Sequence, residues 1–238
     1  MQIERILHTQ GFGTRKECRA LVRAGYVRIA GEDVEDPFAD FPTDGLVLEV
    51  DGELWPYREQ AYLMLHKPQG FECSQKPQFH RSIYSLLPEP LLRRGVQSVG
   101  RLDEDTTGLL LFSDDGQFIH VWSSGKKRIP KVYEVTTKHP VDAALIGRLL
   151  AGVELHDEII PVTAAACEQT GSHGLLLTVT EGKYHQVKRM VAAAGNRVEG
   201  LHRSRVGGLA LPADLPAGDW RWLEPADLAR LSDFPADL

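Results

Sequence analysis

The 238-residue sequence lacks several patterns that would each assign it to a class of proteins. It has only three cysteines, which lie far apart and form no C-x-x-C pair, so neither a disulfide framework nor a zinc site is indicated. No apolar run approaches the roughly 18 residues that a membrane-spanning helix needs. The start, MQIERILHTQ, is too polar for a secretory signal. We therefore expect a cytoplasmic protein with no membrane partner.

Sequence motifs typical of cofactor-binding proteins are also missing. The sequence has no phosphate-binding P-loop, no glycine fingerprint for a dinucleotide after a predicted strand, and no spacing of metal ligands. We therefore expect the protein to work with no cofactor and no metal ion.

The charge is unevenly distributed. The net charge of −6 by itself disfavours an anionic partner. Residues 1–30 nevertheless hold six basic and two acidic residues, 126–131 hold four basic and no acidic ones, and 181–205 hold six and two. Because screening acts over about 8 Å at physiological salt, such clusters matter more for phosphate binding than the total does. Each cluster alone fits a solvated surface equally well, but the three together favour RNA.

The first 55 residues read as two short helices followed by short strands. Thr14 and Glu17 form a predicted capping box, and Gly25 is placed to end the second helix. The run GFGTRKECRALVRAGYV resembles the S4-like RNA-binding domain, although the usual Arg-Leu-Asp-Lys start is absent. The resemblance implies a small α-L domain over residues 1–55. Arg15, Arg19 and Arg23 recur every fourth residue and share one helix face, and we expect these three and Lys16 to contact RNA.

Residues 56–60 read as a linker, and from residue 61 onward predicted strands alternate with predicted helices. The strands are expected at 61–66, 108–113, 131–137, 158–168 and 174–180. The helices are expected at 114–122, with Asp114 as its cap, and at 141–151 and 184–194. Because the strands outnumber the helices and several links are short, the pattern favours an α+β fold with a largely antiparallel sheet. We predict a second domain over residues 61–238.

The stretch GRLDEDTTGLLLFSDDGQFIH, residues 100–120, puts acidic residues where a loop meets an apolar strand. A carboxylate there can be catalytic, and a turn aspartate that caps a backbone amide is the structural alternative. The stretch matches the signature G-R-L-D-x-D-T-[ST]-G-L-L-[LI]-[LF] of the RsuA group of pseudouridine synthases. The resemblance implies that Asp103 is the catalytic aspartate and that Arg101 fills the space left by an everted base.

Two later stretches resemble further motifs of the same family. KVYEV, residues 131–135, would on its own be a strand with a packed aromatic ring, and EGKYHQVKRM, residues 181–190, leads into a helix with a solvated face. In the family, a tyrosine of the second motif lies in the active site and a basic residue of the third pairs with the catalytic aspartate. The resemblance therefore implies roles for Tyr133 and Lys188, and RNA contacts from Lys131, Lys183, His185 and Arg189.

Taken together, the chain is similar to the RsuA group over its whole length. The resemblance implies an S4-like domain followed by a catalytic domain built on a mixed, largely antiparallel sheet flanked by helices. It further implies that one flipped-out uridine of 16S ribosomal RNA, free or in an assembling particle, is isomerised, at the RsuA-type site, uridine 516. We expect a monomer. The alternatives are the same reaction on 23S RNA, a non-catalytic assembly factor that binds RNA, and a hydrolase that uses a carboxylate at a sugar.

Overall fold

The computed structural model describes residues 1–235, and the chain divides into two compact units. The first unit comprises Met1–Ala61 and Leu87–Gln97, and the second comprises Tyr62–Leu86 and the chain from Ser98 onward. The segment 87–97, which was predicted to belong to the second domain, therefore clusters with the first unit. The S4-like character of the first unit stays a prediction.

The first unit combines short helices with a small antiparallel sheet. Its helices are α1 (Ile3–Thr9), α2 (Arg15–Arg23) and α3 (Glu89–Arg93). Its strands are β1 (Val27–Ile29), β2 (Glu32–Asp33), β3 (Val47–Val50) and β4 (Glu53–Pro56), and within the described residues they pair in the order β2-β1-β3-β4.

Helix α2 begins as the sequence predicts. The Thr14 side chain accepts a hydrogen bond from the Glu17 backbone, and the Glu17 carboxylate accepts one from the Thr14 backbone, so the capping box is confirmed. Cys18 and Val22 are buried, which leaves Arg15, Lys16 and Arg23 exposed on the rest of the helix. Arg19 differs from these three because its guanidinium forms an ion pair with the buried Glu4 of α1.

The second unit contains most of the strands. These are β5 (Tyr62–Lys67), β6 (Phe71–Glu72), β7 (Arg81–Ser82), β8 (Gln97–Val99), β9 (Thr107–Ser113), β10 (Lys131–Thr137), β11 (Ala166–Gly171), β12 (Gly174–Val179), β13 (Val198–Val206), β14 (Leu209–Ala210) and β15 (Trp220–Trp222). Its helices are α4 (Gly116–Ser123), α5 (Ala143–Ala151), α6 (Gln186–Ala193) and α7 (Pro225–Leu231), with 3-10 turns at Ile83–Leu86 and Gly125–Lys127.

One large mixed sheet organises this unit. Along the described chain its main path runs β11-β12-β10-β13-β9-β5-β15, while β14 pairs with β13 and β8 with β9. The β13–β9 pair is parallel and the other pairs along the main path are antiparallel, so the predicted α+β class with a largely antiparallel sheet is confirmed. Helix α6 lies between β12 and β13 in the chain and contacts β13, which is a central strand of the sheet.

Several elements differ from the sequence-based expectation. Helix α4 is capped by Asp115 and not by Asp114: the Asp115 carboxylate accepts hydrogen bonds from the Gln117 backbone at 2.8 Å and from the Tyr62 hydroxyl at 2.9 Å. The strand expected over 158–168 begins only at Ala166. Residues 163–165 and most of the preceding stretch form a loop, which a bridge between Val153 and Val162 closes. Over residues 1–235, the structure contains no helix with the length and apolar character needed to cross a membrane.

Candidate active site

The loop between β8 and β9 carries Asp103, and α6 brings two partners to its carboxylate. Lys188 Nζ donates to Asp103 Oδ2 at 2.9 Å, and His185 Nε2 lies 3.2 Å from Asp103 Oδ1. The loop itself is tightened by a hydrogen bond from the Thr106 backbone to the Asp103 carbonyl oxygen. Asp103 therefore stands partly exposed, with a cation on one carboxylate oxygen and an imidazole on the other.

Lys188 is shared between two carboxylates, and the second belongs to a residue that sequence reasoning did not single out. Its Nζ also donates to Asp105 Oδ1 at 2.6 Å. Burial lowers the pKa of Lys188, but the hydrogen bonds to Asp105 and Asp103 outweigh burial and raise it. Burial raises the pKa of Asp105, but the Lys188 hydrogen bond and charge bring it below the ordinary value. The second aspartate of the D-x-D pattern was the available signal.

A fully buried lysine, Lys67, donates hydrogen bonds to the backbone of the loop that carries Asp103. Lys67, the last residue of β5, donates through Nζ to the carbonyl oxygens of Pro68 at 3.1 Å, Glu104 at 3.1 Å and Thr106 at 2.9 Å. Burial lowers its pKa, while the thiol of Cys73 and the nearby acids of the loop oppose that shift. Because two of its three acceptors lie one and three residues after Asp103, Lys67 fixes the backbone path of the catalytic loop that follows Asp103.

Tyr133 lies on the same face of the sheet as Lys67. It sits opposite Arg203 on β13, Arg203 sits opposite Gly108 on β9, and Gly108 sits opposite Lys67 on β5. Directly opposed residues project to one face of a sheet. At Gly108 a Cβ atom would come within 2.3 Å of the Arg203 carbonyl oxygen, so this close strand pairing requires glycine. Tyr133 itself is buried.

The turn that leads into α6 has an unusual conformation at His185. Its φ of 46° lies in the left-handed region, which non-glycine residues seldom adopt. The Tyr184 and His185 rings stack with their centroids 3.8 Å apart and an interplanar angle of 19°. The turn therefore points the imidazole at Asp103 and keeps an aromatic ring directly against it.

The basic residues expected to contact RNA lie in different settings. Arg101 is exposed on the Asp103 loop. Lys183 Nζ lies 2.6 Å from Glu158 Oε2, and Arg189 forms an ion pair with Asp157, so both charges are engaged within the protein. Lys131 is buried, donates to the Ile129 carbonyl oxygen at 3.1 Å, and has its pKa lowered to about 8 by burial and by Arg203. That geometry does not favour the RNA contact expected of Lys131.

In the described part of the chain, no group of three histidine, cysteine, aspartate or glutamate side chains is arranged to hold a metal ion. The side chains that contact the Asp103 carboxylate directly are instead basic: the Lys188 ammonium and the His185 imidazole. Such a donor set stabilises an anionic oxygen and is unlike the carboxylate-rich sets that bind hard cations.

Comparison with known proteins gives consistent similarities. A family model described as RNA pseudouridylate synthase matches residues 61–193. An uncharacterized RNA pseudouridine synthase, YtzG, from Bacillus subtilis is 37% identical over 236 residues, which cover 98% of this chain and 99% of that protein. Ribosomal small subunit pseudouridine synthase A from Escherichia coli is 36% identical over 229 residues, covering 96% and 99%. The protein of that name from Vibrio cholerae is 37% identical over 232 residues, covering 97% and 99%.

A solved structure is similar over nearly the same extent. A crystal structure of pseudouridylate synthase shares 35% sequence identity with this chain and superimposes with a TM-score of 0.69. The match covers 97% of this chain and 99% of that one. Both the sequence and the fold are therefore similar over both units.

Proposed function

The chain belongs to the RNA pseudouridylate synthase family, and we propose that it converts one specific uridine of small-subunit (16S) ribosomal RNA into pseudouridine. As a pseudouridine synthase it is an isomerase. The 16S substrate is supported by relatives that match almost the whole chain and carry the name ribosomal small subunit pseudouridine synthase A. Our proposed target within that RNA is the RsuA-type site, uridine 516.

The reaction needs a group that acts on the ribose. The bond between C1′ and N1 breaks, the uracil turns, a bond forms between C1′ and C5, C5 loses a proton and N1 gains one. A carboxylate can either attack the sugar or remove a sugar proton as the base leaves. We propose Asp103 for this role. The observation that carries the proposal is its 2.9 Å ion pair with Lys188, on a loop within the segment that the family model matches.

The surrounding residues have complementary roles in this proposal. Lys188 stabilises the ionised carboxylate of Asp103, and His185 orients its second oxygen. The target base must leave the RNA stack, which costs a few kcal/mol. Tyr133 then lines the pocket for the everted uracil, and Arg101 fills the gap that the base leaves.

The first unit is proposed to act as an S4-like RNA-binding domain. Its exposed cations on α2 are suited to phosphate contacts: Arg15, Lys16 and Arg23. A tethered second binding site raises the effective concentration of RNA at the catalytic unit, which offsets the cost of flipping the base. We further propose that the protein works as a monomer in the cytoplasm, where its ribosomal RNA substrate is made.

Mapping pseudouridine in two transcripts tests this function. The purified protein is incubated separately with 16S and 23S transcripts, and modified positions are read by sequencing after chemical derivatisation. We expect one pseudouridine, in the 16S transcript at position 516. Modification of the 23S transcript alone would refute the proposed substrate, and the absence of pseudouridine from both would refute the catalytic proposal.

Replacing Lys188 with methionine is expected to lower the single-turnover rate by roughly 10- to 100-fold, because the partly exposed Asp103 carboxylate then lacks the cation beside it. Lys188→Arg keeps the charge and should retain most of the rate. Since Asp105 and Asp103 raise the pKa of Lys188 above 10.5, the ammonium stays charged at lower pH. We therefore expect titration of Lys188 to cause no change in the single-turnover rate between about pH 6 and 9. A methionine variant as fast as the wild type would remove Lys188 from the mechanism.

A further inference from the structure

Ion pairs join two segments of the second unit next to α6. The loop that joins α5 to β11 carries Asp157 and Glu158, and the turn before α6 carries Lys183. Lys183 Nζ pairs with Glu158 Oε2 at 2.6 Å. Arg189, on α6, pairs with the Asp157 carboxylate and also donates to the Tyr184 carbonyl oxygen at 3.1 Å. The loop is thus fixed against the turn that contains His185.

These two segments, the loop after α5 and the turn before α6, expose three large apolar side chains. We call them the apolar rim: Ile159, Ile160 and Tyr184. They are 102%, 76% and 74% exposed, respectively. Ile159 directly follows Glu158, and Tyr184 directly follows Lys183, so the Lys183–Glu158 ion pair holds the two chain segments that carry these residues next to each other. Exposed single apolar residues are ordinary, but three of them gathered by ion pairs form a contact surface.

The apolar rim adjoins the proposed catalytic carboxylate. The Tyr184 ring stacks on the His185 ring, and His185 Nε2 is 3.2 Å from Asp103 Oδ1. One imidazole ring therefore separates the Tyr184 ring of the rim from Asp103. A nucleoside bound at Asp103 would therefore have its neighbouring nucleotides close to Tyr184.

A cationic turn borders the rim and indicates the chemistry of its partner. Lys126, Lys127 and Arg128 are exposed, and none of them forms an ion pair with any residue that the structure describes. A Cβ atom on Gly125 would lie 3.8 Å from the backbone nitrogen of Gly182, so this turn touches the segment that carries Tyr184. Exposed cations beside an exposed aromatic ring are the combination that binds the phosphates and base faces of single-stranded RNA.

We propose that the apolar rim contacts the bases that flank the target uridine, with Tyr184 stacking on one base and the two isoleucines packing against the next. This inference rests on the proposed function. When the target nucleotide is everted, its neighbours lose a stacking partner and expose base faces. Apolar side chains that occupy such positions hold the RNA in its distorted form. Lys183 and Arg189 then support RNA binding indirectly, by holding the loop in place.

The test measures the affinity for fluorescent 16S and 23S transcripts over a range of salt concentrations. Tyr184→Ser and the double variant Ile159→Ser/Ile160→Ser are each expected to bind the preferred RNA about tenfold more weakly, the size of a base-stacking contribution. Tyr184→Phe and Ile159→Leu/Ile160→Leu keep the apolar surfaces and should bind like the wild type. Because the rim carries no charge, the slope of log Kd against log salt should stay unchanged in the serine variants.

The cationic turn supplies the contrasting control. Lys126→Gln/Lys127→Gln should reduce the salt slope by about 1 to 2, since each lost phosphate contact removes roughly 0.7 to 0.9. Serine variants that bind within twofold of the wild type would overturn the proposal. So would serine variants whose salt slope falls as far as that of Lys126→Gln/Lys127→Gln, because the loss would then lie in phosphate contacts and not in base contacts. Pseudouridine formation by the wild type is scored separately, so a failure of the proposed function leaves the binding comparison decisive for the rim.

Discussion

The Asp103→Asn variant is expected to lose turnover by roughly 1,000-fold or more while still binding RNA. Asparagine has nearly the same shape as aspartate and can still accept a hydrogen bond from Lys188, so the loop should keep its position. The amide cannot attack a sugar carbon and cannot remove a sugar proton, because it carries no negative charge. The expected loss therefore lies in kcat, with little change in RNA affinity.

The neighbouring carboxylate provides a matched control for this variant. Glu104 lies in the same loop, and its backbone carbonyl oxygen accepts hydrogen bonds from Lys67 and from the Gly70 backbone. Glu104→Gln removes one negative charge from the loop but leaves those backbone contacts intact, so we expect near-normal turnover. If Glu104→Gln were as inactive as Asp103→Asn, the loss would reflect the charge of the loop and not the chemistry of Asp103.

Replacing Lys67 with methionine is expected to lower the free energy of unfolding by about 3 kcal/mol or more. The buried ammonium supplies the donors for three carbonyl oxygens, and leaving a buried acceptor unsatisfied costs about 1–3 kcal/mol. Removal of a buried charge offsets part of that loss. Urea unfolding followed by tryptophan fluorescence measures the change. Turnover should fall as well, because the backbone that follows Asp103 loses its anchor.

Lys131 is the matched control for Lys67, since both are buried lysines in the same sheet. Lys131 donates to a single carbonyl oxygen, and its pKa is lowered to about 8. Between about pH 8 and 10.5 the unfolded chain binds the proton of this lysine more strongly than the folded protein does, so stability should rise with pH in that window. Lys131→Met should remove this rise and cost little at neutral pH. A Lys131→Met variant destabilised as much as Lys67→Met would show that the three carbonyl contacts of Lys67 are not the cause.

Local signals in the sequence predict much of the fold. The Thr14–Glu17 capping box and the position of Gly25 define α2, and the apolar runs at 61–66, 108–113 and 174–180 coincide closely with β5, β9 and β12. Long-range pairing is harder to predict. Strand β13 was not recognised, because its buried position 203 is an arginine and breaks the apolar alternation. Its parallel pairing with β9 depends on Gly108, whose role becomes visible only in three dimensions.

In the candidate site, too, some residues can be predicted from the sequence and others cannot. The sequence predicts Asp103 and Lys188 through their motifs, and the structure brings them together at 2.9 Å although 85 residues separate them. It does not predict Lys67, because a single lysine at the end of an apolar strand has the pattern of an ordinary exposed residue. Nor does it predict that Lys183 and Arg189 pair with Glu158 and Asp157, since ion pairs between a loop and a distant turn leave no periodic signal.

Tritium release provides the most direct test of the central claim that Asp103 catalyses uridine isomerisation. Wild-type protein and the Asp103→Asn variant are each mixed in excess with a 16S transcript tritiated at C5 of uridine, at concentrations where both bind all the RNA. We predict that the wild type releases one equivalent of tritium per transcript and that the variant releases none. Release by the bound Asp103→Asn variant at a rate close to that of the wild type would contradict the account.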